Sequence, residues 1–422
     1  MSTQIHANLT EEQVRQISEG LDEPEWLLQT RLDALDALAD LDFPDVIRTP
    51  GRQWTNLANL DFESFVDPLN AAEEKDQVGP DDVEVLSMAE ALDSHEDLVK
   101  EHFGSVVDPQ TNYLTALSTA LFSTGTVIYV PEGVDAEDVT VRTTMNSRSL
   151  FNYTLVVAEE SSSVTILERQ ETGGAAVTPE RRRASDDDAD SRTGNRYYSG
   201  IVEVVGGENA YVQYGSLQDL DRTTYNYQLK KATVDTYGTV NVIDCNIGSR
   251  LTKSSVEANL DGDSSETKLI GAFYGHEDQH FDIDTRVWHN AEHTTADLVT
   301  RGVIDDRARS VYEGVQNVGR DAWDTSSYQR ENTLMLSDES EADASPKLII
   351  NNHDTEASHS ATVGQVDAED LFYMTSRAVP EQLAKNMLVE GFYVPVLEEI
   401  EVDELREDLQ SRIRDRLKAR EQ

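Results

Sequence analysis

Cysteine is nearly missing from this chain. One residue in 422, Cys245, carries a thiol, so no internal disulfide can form and no all-cysteine zinc or cluster site can be built within one chain. Basic residues are scarce as well: 35 Lys plus Arg stand against 81 Asp plus Glu, a formal charge of −46. The acids are spread along the whole length rather than gathered in a tail. Like charge repels at long range, which disfavours nucleic acid and anionic membrane as binding surfaces. The even spread predicts adaptation to a cytosol of very high salt, where screening acts over a few ångströms and an acidic surface stays hydrated. No apolar run approaches the length that spans a bilayer. The opening residues, MSTQIHANLTEEQ, have neither a basic flank nor an apolar stretch and do not read as a secretory signal. Also missing are G-x-S-x-G, P-loop and dinucleotide glycine fingerprints. The expectation is a soluble, cytoplasmic protein without a recognisable reaction of its own.

What is present falls into three textures. Residues 1–105 read as a helical domain. Thr10 to Gln13 form a capping box, in which hydroxyl and amide each satisfy a free backbone N–H. A second start follows at Glu23-Pro24-Glu25-Trp26, with proline where a first-turn N–H is not needed. Leu28, Leu32, Leu35 and Leu38 then recur at helical spacing toward Pro44. The acidic stretch 69–82 reads as a surface linker, and 83–103 as another short helical pattern.

Residues 106–364 form the core. Short runs rich in Val, Ile, Thr and Tyr, such as GTVIYVPEG, YTLVVAEE, GTVNVIDCN and KLIGAFYG, alternate with Gly, Asn, Asp and Ser clusters. Strands this short and numerous, without helical spacers, predict an all-β domain. A sandwich or barrel uses fewer strands than about 250 residues of such runs supply. A parallel β-helix fits, its coils stacked about 4.8 Å apart, although no strict repeat is visible. Residues 171–196 interrupt the pattern with few apolar side chains and read as a disordered loop.

Residues 365–422 turn helical again. Asp367 can cap a helix carrying Leu371, Phe372 and Met374, and Pro380 opens a second with Leu383 and Met387, expected to end at Gly391. Leu405, Leu409, Ile413 and Leu417 make a narrow stripe, suited to packing on the two preceding helices or on another protein.

The densest polar constellation contains His276, His280, His289 and His293 with Asp282, Asp284 and Glu292. Imidazole and carboxylate are what Zn, Fe or Mn would use, and His280, His289 and His293 are candidate ligands. The segment alternates as a strand, however, where residues four apart lie roughly 13 Å from each other; histidines spread over adjacent coils are the competing reading. Cys245, within VNVIDCN, reads as a small core hydrophobe.

Several stretches recur together in order: Glu23-Pro24-Glu25-Trp26-Leu27-Leu28 with Arg31-Leu32, Trp54-Thr55-Asn56-Leu57, His280 to His293 with Arg301-Gly302-Val303 and Asp306-Arg307-Ala308-Arg309, Asn332 to Asp338, Ser358-His359-Ser360-Ala361-Thr362-Val363-Gly364, and Glu390-Gly391-Phe392. Together they resemble the SufB/SufD family of the Suf iron–sulfur cluster assembly system. The resemblance implies a right-handed parallel β-helix flanked by N- and C-terminal helical domains. It implies a non-catalytic scaffold, paired through its β-helix with a SufB-type paralogue and carrying the ATPase SufC on its C-terminal helices. Leu371, Phe372, Met387 and Phe392 are the candidates for that docking. No cofactor is expected to bind tightly to the chain alone; a nascent Fe–S cluster would pass through the SufB interface, where the resemblance places His359. The family's SufB branch has cysteines in the β-helix, one of them in the strand before the S-H-x-A-T motif, where this chain has Ala357; a thiolate-poor chain is closer to the SufD branch. Ser360 departs from the family's usual glycine. Homodimerisation stays open, as do a SufB-like role and, in a different class, a β-helix carbohydrate-active enzyme.

Overall fold

The computed structural model describes residues 9–41, 66–173, 195–400 and 402–419. The stretch Trp54 to Leu57 and residues 174–194 of the expected loop lie outside the described residues.

Sixteen strands, from β3 (Thr124–Val130) to β18 (Thr355–Gln365), alternate between two sheets and pair in parallel, each with the strand two places on. One sheet holds the even-numbered strands and the other the odd, so each coil gives one strand to each sheet: a parallel β-helix of about eight turns. Inward side chains of both sheets meet in a column of mostly small and β-branched residues, including Val130, Val156, Val204, Val212 and Val240. Such residues suit a pleated strand whose inner face is stacked on identical neighbours. A polar belt runs beside them. Asp244 accepts hydrogen bonds there from Lys230 Nζ at 2.8 Å, Ser216 at 3.0 Å and Ser254 at 2.8 Å.

The corners follow one rule. Ser161, Asn209, Tyr237, Ser264 and His293 hold positive φ between 56° and 60°, and each donates its N–H to a corner carbonyl of the next coil, those of Glu208, Thr236, Asp263, Glu292 and Trp323 in turn. The left-handed conformation costs a side-chain-bearing residue about 1–2 kcal/mol, and the stacked hydrogen bond offsets it. Residue type varies at these corners while the conformation does not, which is why no repeat is visible in the sequence.

The first coil is closed. Strand β1 (Glu73–Val78) pairs antiparallel with β4 (Asp135–Met145), and β2 (Glu84–Ser87) pairs antiparallel with β3. The acidic stretch 69–82 is therefore no linker: its alternation lets Lys75 reach inward to Asn152 at 2.9 Å while Glu74 and Asp76 face out. Helices α1 (Glu11–Gly20), α2 (Glu25–Ala37), α3 (Met88–Ser94), α4 (Glu96–His102) and α5 (Tyr113–Leu121) complete this end. The Thr10–Gln13 capping box forms. Helix α5, inside the stretch read as purely β, is buried at every position. The Glu23…Arg31 motif is a buried ion pair with contacts of 2.8 and 2.6 Å, and the guanidinium lies 3.6 Å from the centre of the Phe122 ring.

At the other terminus are α6 (Ala368–Thr375), α7 (Glu381–Glu399) and α8 (Asp403–Ala419). Asp367 caps α6. Helix α7 does not stop at Gly391 but continues through it and through Pro395. Burial of Val389, Tyr393, Val396 and Leu397 against Leu217, Cys245 and Tyr274 on the outer face of the even-numbered sheet outweighs the helix propensity of two poor formers. The stripe Leu405, Leu409, Ile413 and Leu417 is 0–2% exposed and packs into the same cluster, so it is used at home, against both α7 and the sheet. Cys245 lies in this apolar layer, where burial pushes its thiol pKa up.

Candidate functional site at the open end of the coil

Among the described residues, the last coil, β17 (Glu341–Ile350) with β18, has no successor. Strand β17 ends the odd-numbered sheet and β18 the even-numbered one, so both carry an unpaired row of backbone N–H and C=O groups. Long edges of this kind invite another chain unless they are covered, bulged or charged inward.

Register fixes which side chains face the interior. On β16 (Thr325–Met335), Gln329 lies inside: its Nε2 donates to Tyr312 Oη at 3.2 Å, and its Oε1 accepts from Gln316 at 3.1 Å, both on β15 (Arg309–Val318). Ser327, Gln329, Glu331 and Thr333 thus form the inward row. Their partners on β18 are Ala357, His359, Ala361 and Val363. On β17 the inward row continues the column of Tyr312, Gly314, Gln316 and Val318 with Ala344, Pro346, Leu348 and Ile350. In any earlier coil such a set would be core. Here Ile350 is 44% and Val363 38% exposed, and His359 stands exposed among them. The mouth of the solenoid is therefore a mainly apolar surface containing one imidazole. His353 lies outside it, in the turn before β18, with its ring edge-on to Trp323 at 5.1 Å.

Beneath His359's row sits a residue that sequence reasoning missed. Glu331 is 1% exposed; Oε1 accepts from Thr333 Oγ1 at 2.5 Å, while Oε2 has no hydrogen-bond partner among the described residues. Burial raises its pKa to about 7, partly offset by the Thr333 bond. The signal was available: the alternate residues Ser327, Gln329, Glu331 and Thr333 make a polar row two strands before His359, where a parallel β-helix pairs the strands.

The other histidines do not assemble. His280 and His289 stand at opposite ends of β13 (His280–His289), about 30 Å apart at strand rise. The expectation of histidines on adjacent coils is corrected with this: all four lie on one strand and its two flanking turns. His289 is buried, hydrogen-bonded with Thr294 Oγ1 at 2.8 Å and Ser327 Oγ at 3.0 Å, and burial depresses its pKa to about 4. His293 is a corner residue whose Nδ1 meets Asp324 at 2.8 Å; that hydrogen bond raises its pKa. Among the described residues, no three His, Cys, Asp or Glu side chains are grouped to hold a metal ion.

The C-terminal helices divide the docking candidates. Phe372 is 72% and Met387 50% exposed, with Tyr373 and Leu383 also uncovered. Leu371 is half-buried. Phe392 is turned toward its own chain, where Arg301 donates to its carbonyl at 2.8 Å and lies 4.8 Å from its ring centre.

Residues 141–392 match the family model described as SUF system FeS cluster assembly, SufBD core domain, and residues 56–141 match the SufBD protein N-terminal region. The chain belongs to the SufBD family. As a SufBD protein it is a component of iron–sulfur cluster assembly. It is 27% identical over 439 residues to an iron–sulfur cluster assembly SufBD family protein of Staphylococcus haemolyticus, covering 94% of this chain and 90% of the relative. It is 26% identical over 444 residues to the iron–sulfur cluster assembly protein SufB of Bacillus subtilis, with the same coverage. The SufBD core match spans both the mouth and His359, and ends at Phe392 on α7. No helix among the described residues is long and apolar enough to cross a membrane.

Proposed function

We propose that this chain is the thiol-poor, SufD-type scaffold subunit of a SufBCD-like assembly: cytoplasmic, non-catalytic, and joined mouth to mouth with a cysteine-bearing SufB-type paralogue. The observation that carries this reading is the uncovered last coil, two long free edges around an apolar mouth with His359 in it. A partner coil added there would satisfy the edge groups by strand addition and cover Ile350 and Val363. His359 would then face the partner's thiolates across the seam. Neutral imidazole can complete an iron site otherwise made of thiolates, and the nascent cluster is the cargo of that seam. The chain's own thiol is unsuited to sulfur transfer, because Cys245 is fully buried and burial holds it protonated. Phe372, Met387 and the half-buried Leu371 offer a surface for a SufC-type ATPase, with Phe392 behind them.

The similarity to a relative named SufB supports a second reading, a SufB-like paralogue. Labelled persulfide transfer from a desulfurase system separates the two: the SufD-type reading expects label on the partner and none on Cys245. The primary test is His359→Ala. The variant should still co-purify with the paralogue and the ATPase but yield far less cluster on anaerobic reconstitution. Unchanged yield in an intact complex would overturn the assignment of His359. Wild-type protein that sediments as a homodimer and refuses the paralogue would overturn the pairing.

A further inference from the structure

The mouth contains one imidazole from this chain, and directly beneath its row lies a carboxylate with an oxygen that no described residue uses. Glu331 and His359 are both inward, on neighbouring strands of one sheet; Glu331 is paired with Ala361, two residues from His359. The next residue above Glu331 in its column is therefore Ala361, whose side chain is a single methyl, and above Ala361 there is no further coil. One coil step is about 4.8 Å, a distance that a glutamate side chain spans. Leaving a buried carboxylate oxygen unmatched is costly in a core. Its neighbours Gln329 and Gln316 hydrogen-bond across the interior to Tyr312 and to each other, while Glu331 is bonded only along its own strand.

We propose that Glu331 is a second iron-binding group of the mouth, supplying Oε2 beside the His359 imidazole to iron that enters between this chain and its partner. The proposal rests on the reading of the mouth as the assembly seam and adds a ligand from this chain. Carboxylate with imidazole is a donor set suited to Fe(II). Two groups do not complete a coordination sphere, which agrees with the lack of any three-residue metal cluster among the described residues; the remaining positions fall to the partner and to water.

The test uses the full chain, alone and in complex with the cysteine-bearing paralogue and ATPase, loaded anaerobically with Fe(II) only and read by chelator competition. Glu331→Gln keeps the shape, can still accept from Thr333 and is easier to bury, so the fold is expected to stand. It should weaken Fe(II) binding by at least the roughly tenfold that loss of even an outer-sphere partner causes at metal sites, with complex formation unchanged. Glu331→Asp retains the charge with a shorter reach and should fall between wild type and the amide; it decides the matter should the amide variant not fold. If His359→Ala weakens binding while neither Glu331 variant does, Glu331 is not a ligand and the seam reading stands. If wild type forms no complex, the seam reading fails, and Glu331 is still judged on the chain alone.

Discussion

His289 has no exposed surface, and both its ring nitrogens meet hydroxyl groups. Neither hydroxyl can carry a compensating negative charge, so burial holds the ring neutral and lowers its pKa from 6.5 to about 4. The sign follows. The folded protein binds a proton here less readily than the unfolded chain, so the contribution is fully present above pH 6.5 and is lost as pH falls toward 4. The size is about 2–3 kcal/mol over that window. Urea unfolding at pH 7.5 and pH 4.5, compared between wild type and His289→Gln, isolates it: the wild type should lose about 2–3 kcal/mol more than the variant. Equal losses would show that the ring is not held neutral by the fold. A residue that looks like a metal ligand in the sequence is in this way a packed, uncharged member of a coil.

At the scale of elements, the two ends of the solenoid differ in kind. The first coil is closed by β1 and β2 running antiparallel, with α3, α4 and α5 beside them; the last coil is left as bare edge. Ile350 marks the difference, since its column partner Val318 is fully buried while Ile350 itself is 44% exposed. Ile350→Lys should therefore leave the isolated chain within about 0.5 kcal/mol of wild-type stability. In the proposed complex it would place an unpaired charge in a covered interface, costing about 2–5 kcal/mol, or more than tenfold in affinity. Sedimentation with the paralogue reads this; undiminished association would remove the mouth from the interface. Much of this architecture was legible in advance. Short β-branched runs without helical spacers identified the solenoid, and the capping box and Asp367 identified helix starts, because both signals are local. What stayed hidden depends on tertiary neighbours. The corners conserve a left-handed conformation rather than a residue type. Strand β1 is recognisable only beside β4, Gly391 is carried through α7 by the sheet beneath it, and Glu331 looks like any other acid until its register shows it facing inward. The Glu23…Arg31 motif was visible as family resemblance, but its role as a buried ion pair over Phe122 required the fold.

For the molecule as a whole, the dominant number is the net charge of −46. Surface ion pairs such as Arg330–Asp297 at 2.7 Å and Lys268–Glu399 at 2.8 Å are present, and salt weakens pairs of this kind. With 35 cations against 81 anions, however, most acids have no cation to meet, and repulsion among them disfavours the compact state. Salt therefore acts on two terms of opposite sign, and the repulsive one is larger. Screening has a characteristic course: the Debye length shortens from about 10 Å at 0.1 M to about 3 Å at 1 M, after which little repulsion is left to remove. Thermal unfolding in KCl should thus show a melting temperature that climbs steeply up to about 1 M and flattens beyond it. A salt that stabilised only by exclusion from the surface would keep raising it without a plateau. A flat or falling curve below 1 M would mean that the acids are spaced widely enough not to repel, and the salt-adapted reading would go with it.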